Sequence, residues 1–207
     1  GSDNPLSGTA ADYEEIFGLG GGDTILGGAG EDWIRAGAGD DFIDGGSGTT
    51  DDANFVWDAV AYMDEGGSQG IVVDLLAGTA TDTFGDTDTL VDIERIYATN
   101  FDDTLLGSDD DDAFDAHGGD DFIDGRGGWD ELMYHQSGLH GGTSGVTLTM
   151  DLSTTATGDG TVLDPFGDTD TFANMESFRL TEFVDTVTGD DGDHRFSLLA
   201  GNDVLDA

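Results

Sequence analysis

The sequence predicts an all-β fold, a parallel β-roll (right-handed β-solenoid) of very short strands, and three observations predict it. A nine-residue unit recurs in three blocks, 35 of the 207 residues are glycine, and the apolar residues, 36% of the chain, fall at single regular positions with no long contiguous stretch.

The first block divides residues 18–44 into GLGGGDTIL, GGAGEDWIR and AGAGDDFID, followed by GGSGTTDDA. The sixth position holds Asp23, Asp32 and Asp41, with Thr50 in the fourth unit, and the eighth holds Ile25, Ile34 and Ile43. Residues 98–133 repeat the frame, with Asp103, Asp112, Asp121 and Asp130 sixth and Leu105, Phe114, Ile123 and Leu132 eighth. Residues 180–206 repeat it again, with Asp185, His194 and Asp203 sixth and Val187, Phe196 and Leu205 eighth.

Glycine allows the left-handed backbone of a tight turn and leaves carbonyls uncovered, while a triplet with one central aliphatic makes a strand with one side chain inward. If two units complete a coil, units n and n+2 stack about 4.8 Å apart in one sheet. Acids eighteen residues apart then face each other: Asp23 with Asp41, Asp103 with Asp121, Asp112 with Asp130, Asp185 with Asp203. Extending the frame backwards places Glu14, Glu94 and Glu176 sixth, so that Glu14 meets Asp32 and Glu94 meets Asp112. Thr50 leaves Asp32 without a carboxylate on one side, and His194 faces Glu176 as a poor ligand. Those two sites are expected to be weak, or rebuilt by Asp51 or Asp193.

Two segments lie between the blocks and resemble each other. WDAVAYM (57–63) matches WDELMYH (129–135), GIVVDLL (70–76) matches GVTLTMDL (145–152), and GDTDTLVDIE (85–94) matches GDTDTFANME (167–176). The chain is therefore a duplication: a block at 1–50, a β segment at 51–97, a block at 98–133, a second β segment at 134–179 and a block at 180–207. Alternation in the Val/Leu-rich stretches predicts strands that extend or cover the roll. The frame resumes early, since Ile96 and Phe178 already sit eighth. GDTDT places Asp86 with Asp88, and Asp168 with Asp170, two residues apart on a turn. That turn either holds a further ion or is an Asx-turn serving its own amides.

Against 46 Asp and Glu stand 5 Lys and Arg, a formal charge of −41, which excludes nucleic acid and anionic lipid as ready partners. Something must neutralise the acids on folding, and a hard divalent cation suits carboxylates combined with free carbonyls. With no cysteine there is no disulfide and no thiolate zinc site. No apolar run approaches a membrane span. Gly1-Ser2 reads as a cloning remnant, and the chain is expected to be a piece of something longer.

The units resemble the RTX (repeats-in-toxin), or haemolysin-type, nonapeptide GGxGxDxUx, with glycine, acid and aliphatic positions agreeing together over many consecutive units. The resemblance implies calcium ions between the turns of the roll. It also implies that turn carbonyls of Gly21, Gly28, Gly30, Gly37, Gly39, Gly46, Gly48, Gly119, Gly128 and Gly201 complete the shells begun by the sixth-position acids. It further implies a secreted or cell-surface bacterial protein, exported by a type I system and folding on calcium outside the cell. The alternative from another class is a calcium-dependent module binding extracellular polysaccharide, or an adhesin or accessory domain of a secreted enzyme or toxin. For such a module Trp57, Trp129, Tyr62 and Tyr134 would be a sugar-stacking platform, or else a cap over the roll. No catalytic constellation accompanies the four histidines, His117, His135, His140 and His194; the loop pair His135 and His140 reads as solvated, or as a weak transition-metal site.

Overall fold

A computed structural model describes residues 5–8, 13–46, 57–151 and 158–206. The chain divides into two compact units, Gly1–Ala98 and Thr99–Ala207.

In the first unit the described strands are β1 (Pro5–Ser7), β2 (Tyr13–Phe17), β3 (Thr24–Gly28), β4 (Glu31–Arg35), β5 (Phe42–Gly46), β6 (Ala59–Ala61), β7 (Val72–Asp74), β8 (Thr79–Thr81), β9 (Thr87–Val91) and β10 (Arg95–Tyr97). Successive strands alternate between two sheets, apart from β7, β8 and β9, which share one; the sheets are ordered β1-β3-β5-β9-β8-β7 and β2-β4-β6-β10. The repeat strands pair in parallel, and their registers run Leu6, Ile25, Ile43, Leu90 in one sheet and Ile16, Ile34, Val60, Ile96 in the other. Eighth-position residues thus form two inward ladders, and Ile25, Ile34, Ile43, Val60 and Ile96 are fully buried. Each such side chain contributes roughly 1.5–3 kcal/mol on burial, so the core is assembled one residue per strand.

The second unit repeats this plan with β11 (Thr104–Leu106), β12 (Ala113–Asp115), β13 (Phe122–Asp124), β14 (Glu131–Met133), β15 (Thr147–Met150), β16 (Gly160–Leu163), β17 (Thr169–Ala173), β18 (Ser177–Arg179), β19 (Thr186–Thr188), β20 (Arg195–Ser197) and β21 (Val204–Asp206). Its sheets are ordered β11-β13-β17-β16-β15-β19-β21 and β12-β14-β18-β20. Phe178 stacks on Phe196 of the next coil at 5.4 Å and meets Phe172 of the facing sheet edge-on at 5.1 Å. Among the described residues one 3-10 turn, Ser137–Leu139, interrupts the β structure.

The intervening segments continue the roll. β9 and β17 add to β5 and β13 in parallel, as the next rungs of the same sheet. The strands before them run antiparallel, β7 with β8 and β8 with β9, and likewise β15 with β16 and β16 with β17. Among the described strands the solenoid is thus parallel except for one antiparallel excursion in each unit. The Val/Leu-rich stretches form β7 and β15, as their alternation predicts.

Candidate metal centre

The sixth-position acids sit where a turn enters a strand, and the carboxylates of Asp41, Asp121, Asp130 and Asp203 reach back one coil. The amide of Asp23 donates to Asp41 Oδ1 at 2.7 Å and that of Asp41 to Asp88 Oδ1 at 3.1 Å. On the other edge of the first unit, Asp32 N–H donates to Asp58 at 2.8 Å and Asp58 N–H to Glu94 at 2.9 Å. The second unit has the same ladders: Asp103 to Asp121 at 2.7 Å, Asp121 to Asp170 at 3.1 Å, Asp112 to Asp130 at 2.8 Å and Asp130 to Glu176 at 3.0 Å. Asp185 N–H donates to Asp203 at 3.0 Å. Glu14 lies in register with Asp32.

The eighteen-residue spacing holds inside the repeat blocks and changes at the insertions. Asp32 is served by Asp58, 26 residues on, in place of Thr50; Thr50, Asp51 and Gly48 lie outside the described residues. Asp41 and Asp121 continue to Asp88 and Asp170, 47 and 49 residues on, because the hairpin loops out while its last strand takes the next rung. Asp88 and Asp170 therefore do not share a turn with Asp86 and Asp168: they lie within β9 and β17 and are fully buried. Asp86 stays on the turn, and the exposed Asp168 accepts the Gly119 amide at 3.3 Å.

In Asp41, Asp121 and Asp130 one carboxyl oxygen is occupied by an amide, and the other decides what the acid can do. The Oδ2 atoms of Asp41, Asp121 and Asp130 are buried without a hydrogen-bond partner. An ionised oxygen in that position costs several kcal/mol unless a positive charge meets it. Burial, as the largest cause, pushes Asp41 up to about 6, Asp58 and Asp88 to about 7 and Asp130 to about 8, with neighbouring carboxylates adding to it. Asp32, Asp121 and Asp170 are raised as well, again chiefly by burial. These groups resist ionisation in the fold as it stands and would welcome a divalent cation.

The turns fall into two kinds. In the glycine turns Gly21, Gly28, Gly30, Gly37, Gly39, Gly46, Gly119, Gly128 and Gly201 all have positive φ. Consecutive turns stack so closely that a Cβ on Gly39 would overlap the Gly21 carbonyl, and one on Gly128 the Asp110 carbonyl. In the other kind, a polar second residue closes on the sixth. Thr99 donates its amide and hydroxyl to Asp103 at 2.8 and 3.0 Å, Thr181 does so to Asp185 at 3.1 and 2.6 Å, and Ser108 donates its amide to Asp112 at 2.6 Å. His194, in register with Glu176, sets its ring against Asp190 of its own turn at 2.8 Å. A Thr, Ser or Asp at the second position, visible in the sequence, marks these self-satisfied turns.

Among the described residues no three His, Asp or Glu side chains are grouped to hold an ion by themselves. A cation here must be met by carboxylates in pairs with backbone carbonyls, which is the donor set that suits calcium. The residues fit that ion on the partnerless buried oxygens of Asp41, Asp121 and Asp130.

Asp58 escaped the nine-residue count, although the match of WDAVAYM to WDELMYH aligns it with Asp130. Asp82 and Asp164 escaped it too, lying just ahead of the matched GDTDT stretches. The aromatic platform is not formed: Tyr62 and Tyr134 are buried, and their hydroxyls donate to Asp88 at 3.2 Å and Asp170 at 2.5 Å. Trp57 instead carries Arg95 over its ring at 4.9 Å, and Trp129 is exposed. His135 and His140 are half-buried rather than solvated, and His140 packs edge-on against the buried His117 at 4.7 Å.

A family model described as the RTX calcium-binding nonapeptide repeat (4 copies) matches residues 17–50, 97–132 and 181–207. None of the curated proteins compared with the chain matches it.

Proposed function

We propose, for a chain whose three glycine-rich blocks are RTX calcium-binding nonapeptide repeats, that the acid ladders of its β-roll are the calcium ligands and that the ion is what folds it. The ligands are Asp23, Asp32, Asp41 and Asp58 in the first unit and Asp121, Asp130 and Asp203 in the second, with glycine-turn carbonyls. Glu14, Glu94 and Glu176 continue the ladders as further ligands, and Asp103, Asp112 and Asp185 are rungs also tied to a threonine or serine of their own turn. The observation that carries this reading is the set of buried, partnerless carboxyl oxygens on Asp41, Asp121 and Asp130.

Calcium supplies the missing charge and ligation at these oxygens. An ion bound only by the native state adds its binding free energy to folding. With a formal charge of −41, and stacked carboxylates repelling by roughly 1 kcal/mol per pair even in a water-like dielectric, the calcium-free chain is largely unfolded at neutral pH. Such a chain stays unfolded in low-calcium cytosol, passes through a type I export channel, and folds in the calcium-rich exterior. Among the described residues no helix is long and apolar enough to cross a membrane.

Asp121→Ala tests the ligand assignment by calorimetric calcium titration. The variant should lose cooperativity and bind fewer ions, because Asp121 stands between Asp103 and Asp170 in its ladder. A titration superimposable on that of the parent chain would rule out the ladder as the ligand set.

A further inference from the structure

We infer that each inserted hairpin carries a divalent-cation site of its own, anchored by a hairpin aspartate outside the nonapeptide repeats, Asp82 in the first unit and Asp164 in the second, and sharing the ladder acid Asp41 or Asp121. The octapeptide Asp82-Thr-Phe-Gly-Asp-Thr-Asp-Thr89 recurs as Asp164-Pro-Phe-Gly-Asp-Thr-Asp-Thr171, and Asp82 and Asp164 lie outside the matched repeat residues.

In both copies the first aspartate follows the middle strand of the hairpin and closes the turn with one oxygen. Asp82 Oδ1 accepts the amides of Phe84 and Asp86 at 2.9 and 2.7 Å; Asp164 Oδ1 accepts those of Phe166, Gly167 and Asp168 at 2.9, 2.7 and 2.8 Å. That job needs a single acceptor, which an asparagine would supply. The second oxygen is the informative one: Asp82 is 0% exposed and Asp164 1%, and Oδ2 of each has no hydrogen-bond partner.

The partnerless oxygens sit among other carboxylates. Asp82 adds to the upward push on Asp41, and Asp164 to that on Asp121 and Asp170, in each case after burial. Asp41 Oδ2 and Asp121 Oδ2 are themselves buried and partnerless. The chain has no lysine, and four of its five arginines are engaged elsewhere, Arg95 with Glu31, Arg179 with Glu131, Arg126 with the Gly107 carbonyl and Arg35 over Phe17, while the fifth, Arg195, is exposed on β20. The compensating charge must therefore come from solution, and a pair of hard oxygens with water and carbonyls selects calcium or a similar ion.

The two copies differ in one carboxylate. Glu65 lies beside the first, taking the Thr83 hydroxyl at 3.3 Å, and is pushed up to about 8 by burial, with Asp82 and Asp88 contributing. At the matching place the second has Ser137, and Pro165 replaces Thr83. Because affinity for calcium rises with ligand charge, the first site should fill at lower calcium than the second.

The test counts bound ions by native mass spectrometry at saturating calcium. Asp82→Asn and Asp164→Asn should each lose one ion and the double variant two, while the exposed Asp64→Asn loses none. Asp130→Asn, in a repeat ladder, separates this inference from the reading above. If Asp130→Asn loses an ion and the hairpin variants keep the full count, the hairpin sites do not exist and the repeat ladders stand. If none of the variants loses an ion, both fall. Should a hairpin variant fail to fold, crystals of the unaltered chain grown with terbium decide. Anomalous peaks at calcium-like ligand distances of about 2.3–2.6 Å from Asp82 Oδ2 and Asp164 Oδ2 support the sites, and no peak at either overturns them.

Discussion

Replacing Asp130 by asparagine should stabilise the calcium-free fold while weakening its response to calcium. Asp130 is fully buried; its Oδ1 accepts the Asp112 amide at 2.8 Å, and its Oδ2 has no partner. Its carboxyl is pushed up to about 8, first by burial and then by Asp112, Glu176 and Asp111, against the lowering effect of the Asp112 amide. An acid whose folded pKa is raised contributes stability that is complete below its unfolded value of about 3.9 and is lost as pH rises through the folded value. At pH 7 without calcium, folding must protonate this group about three units above its unfolded pKa, which costs as much as ~4 kcal/mol at 1.36 kcal/mol per unit. Asparagine keeps the acceptor for Asp112, removes the titration and turns a donor toward the neighbouring carboxylates. Partial relaxation in the parent chain leaves a gain of roughly 2–4 kcal/mol, or about one and a half to three decades in the folding equilibrium. Circular dichroism in chelator from pH 4 to 9 reads this directly: the parent chain should gain β structure on acidification, and Asp130→Asn should hold it to higher pH. With one ligand gone, the variant should also need more calcium to complete folding. A variant no more folded than its parent in chelator at pH 7, or one with an unshifted calcium midpoint, would refute the reasoning.

Gly128→Ala places a Cβ where the Asp110 carbonyl of the neighbouring turn lies, at a φ of +118°; it should lower stability in calcium by at least ~1–3 kcal/mol, seen as an earlier thermal transition. Ile123→Ala removes a fully buried rung between Leu105 and Phe172 and should cost ~2–5 kcal/mol in urea melts at saturating calcium, with its calcium stoichiometry retained.

The repeating part of the fold was legible because strand, turn and ladder share one nine-residue period. Ile25, Ile34 and Ile43, and Leu105, Phe114, Ile123 and Leu132, fall on the inward ladders at the positions where the frame puts them. What the period could not carry were the places where the chain leaves the coil and returns. Asp58 is a rung like Asp130, but a fixed eighteen-residue count points to Thr50 instead, since spacing in sequence equals spacing in the ladder only when no residue is looped out. Asp88 and Asp170 read as turn residues by their Gly-Asp-Thr-Asp-Thr setting, yet parallel pairing of β9 on β5 and β17 on β13 draws them inward as rungs. Tyr62 and Tyr134 read from the sequence as either a sugar-stacking platform or a cap over the roll, and the pattern could not show that Asp88 and Asp170 would accept their hydroxyls in the interior. Local chemistry also divides acids that the frame treats alike: Asp121 keeps a partnerless oxygen, whereas Asp103 and Asp185 spend theirs on a threonine two positions into the same turn.

The central claim, that calcium folds this chain, is tested most directly by far-ultraviolet circular dichroism of the chelator-treated protein at pH 7.5 during calcium titration, with magnesium in parallel. The account predicts a disordered spectrum in chelator, a cooperative rise of β signal with calcium and none with magnesium. A spectrum already rich in β structure in chelator, and unchanged by calcium, would contradict it.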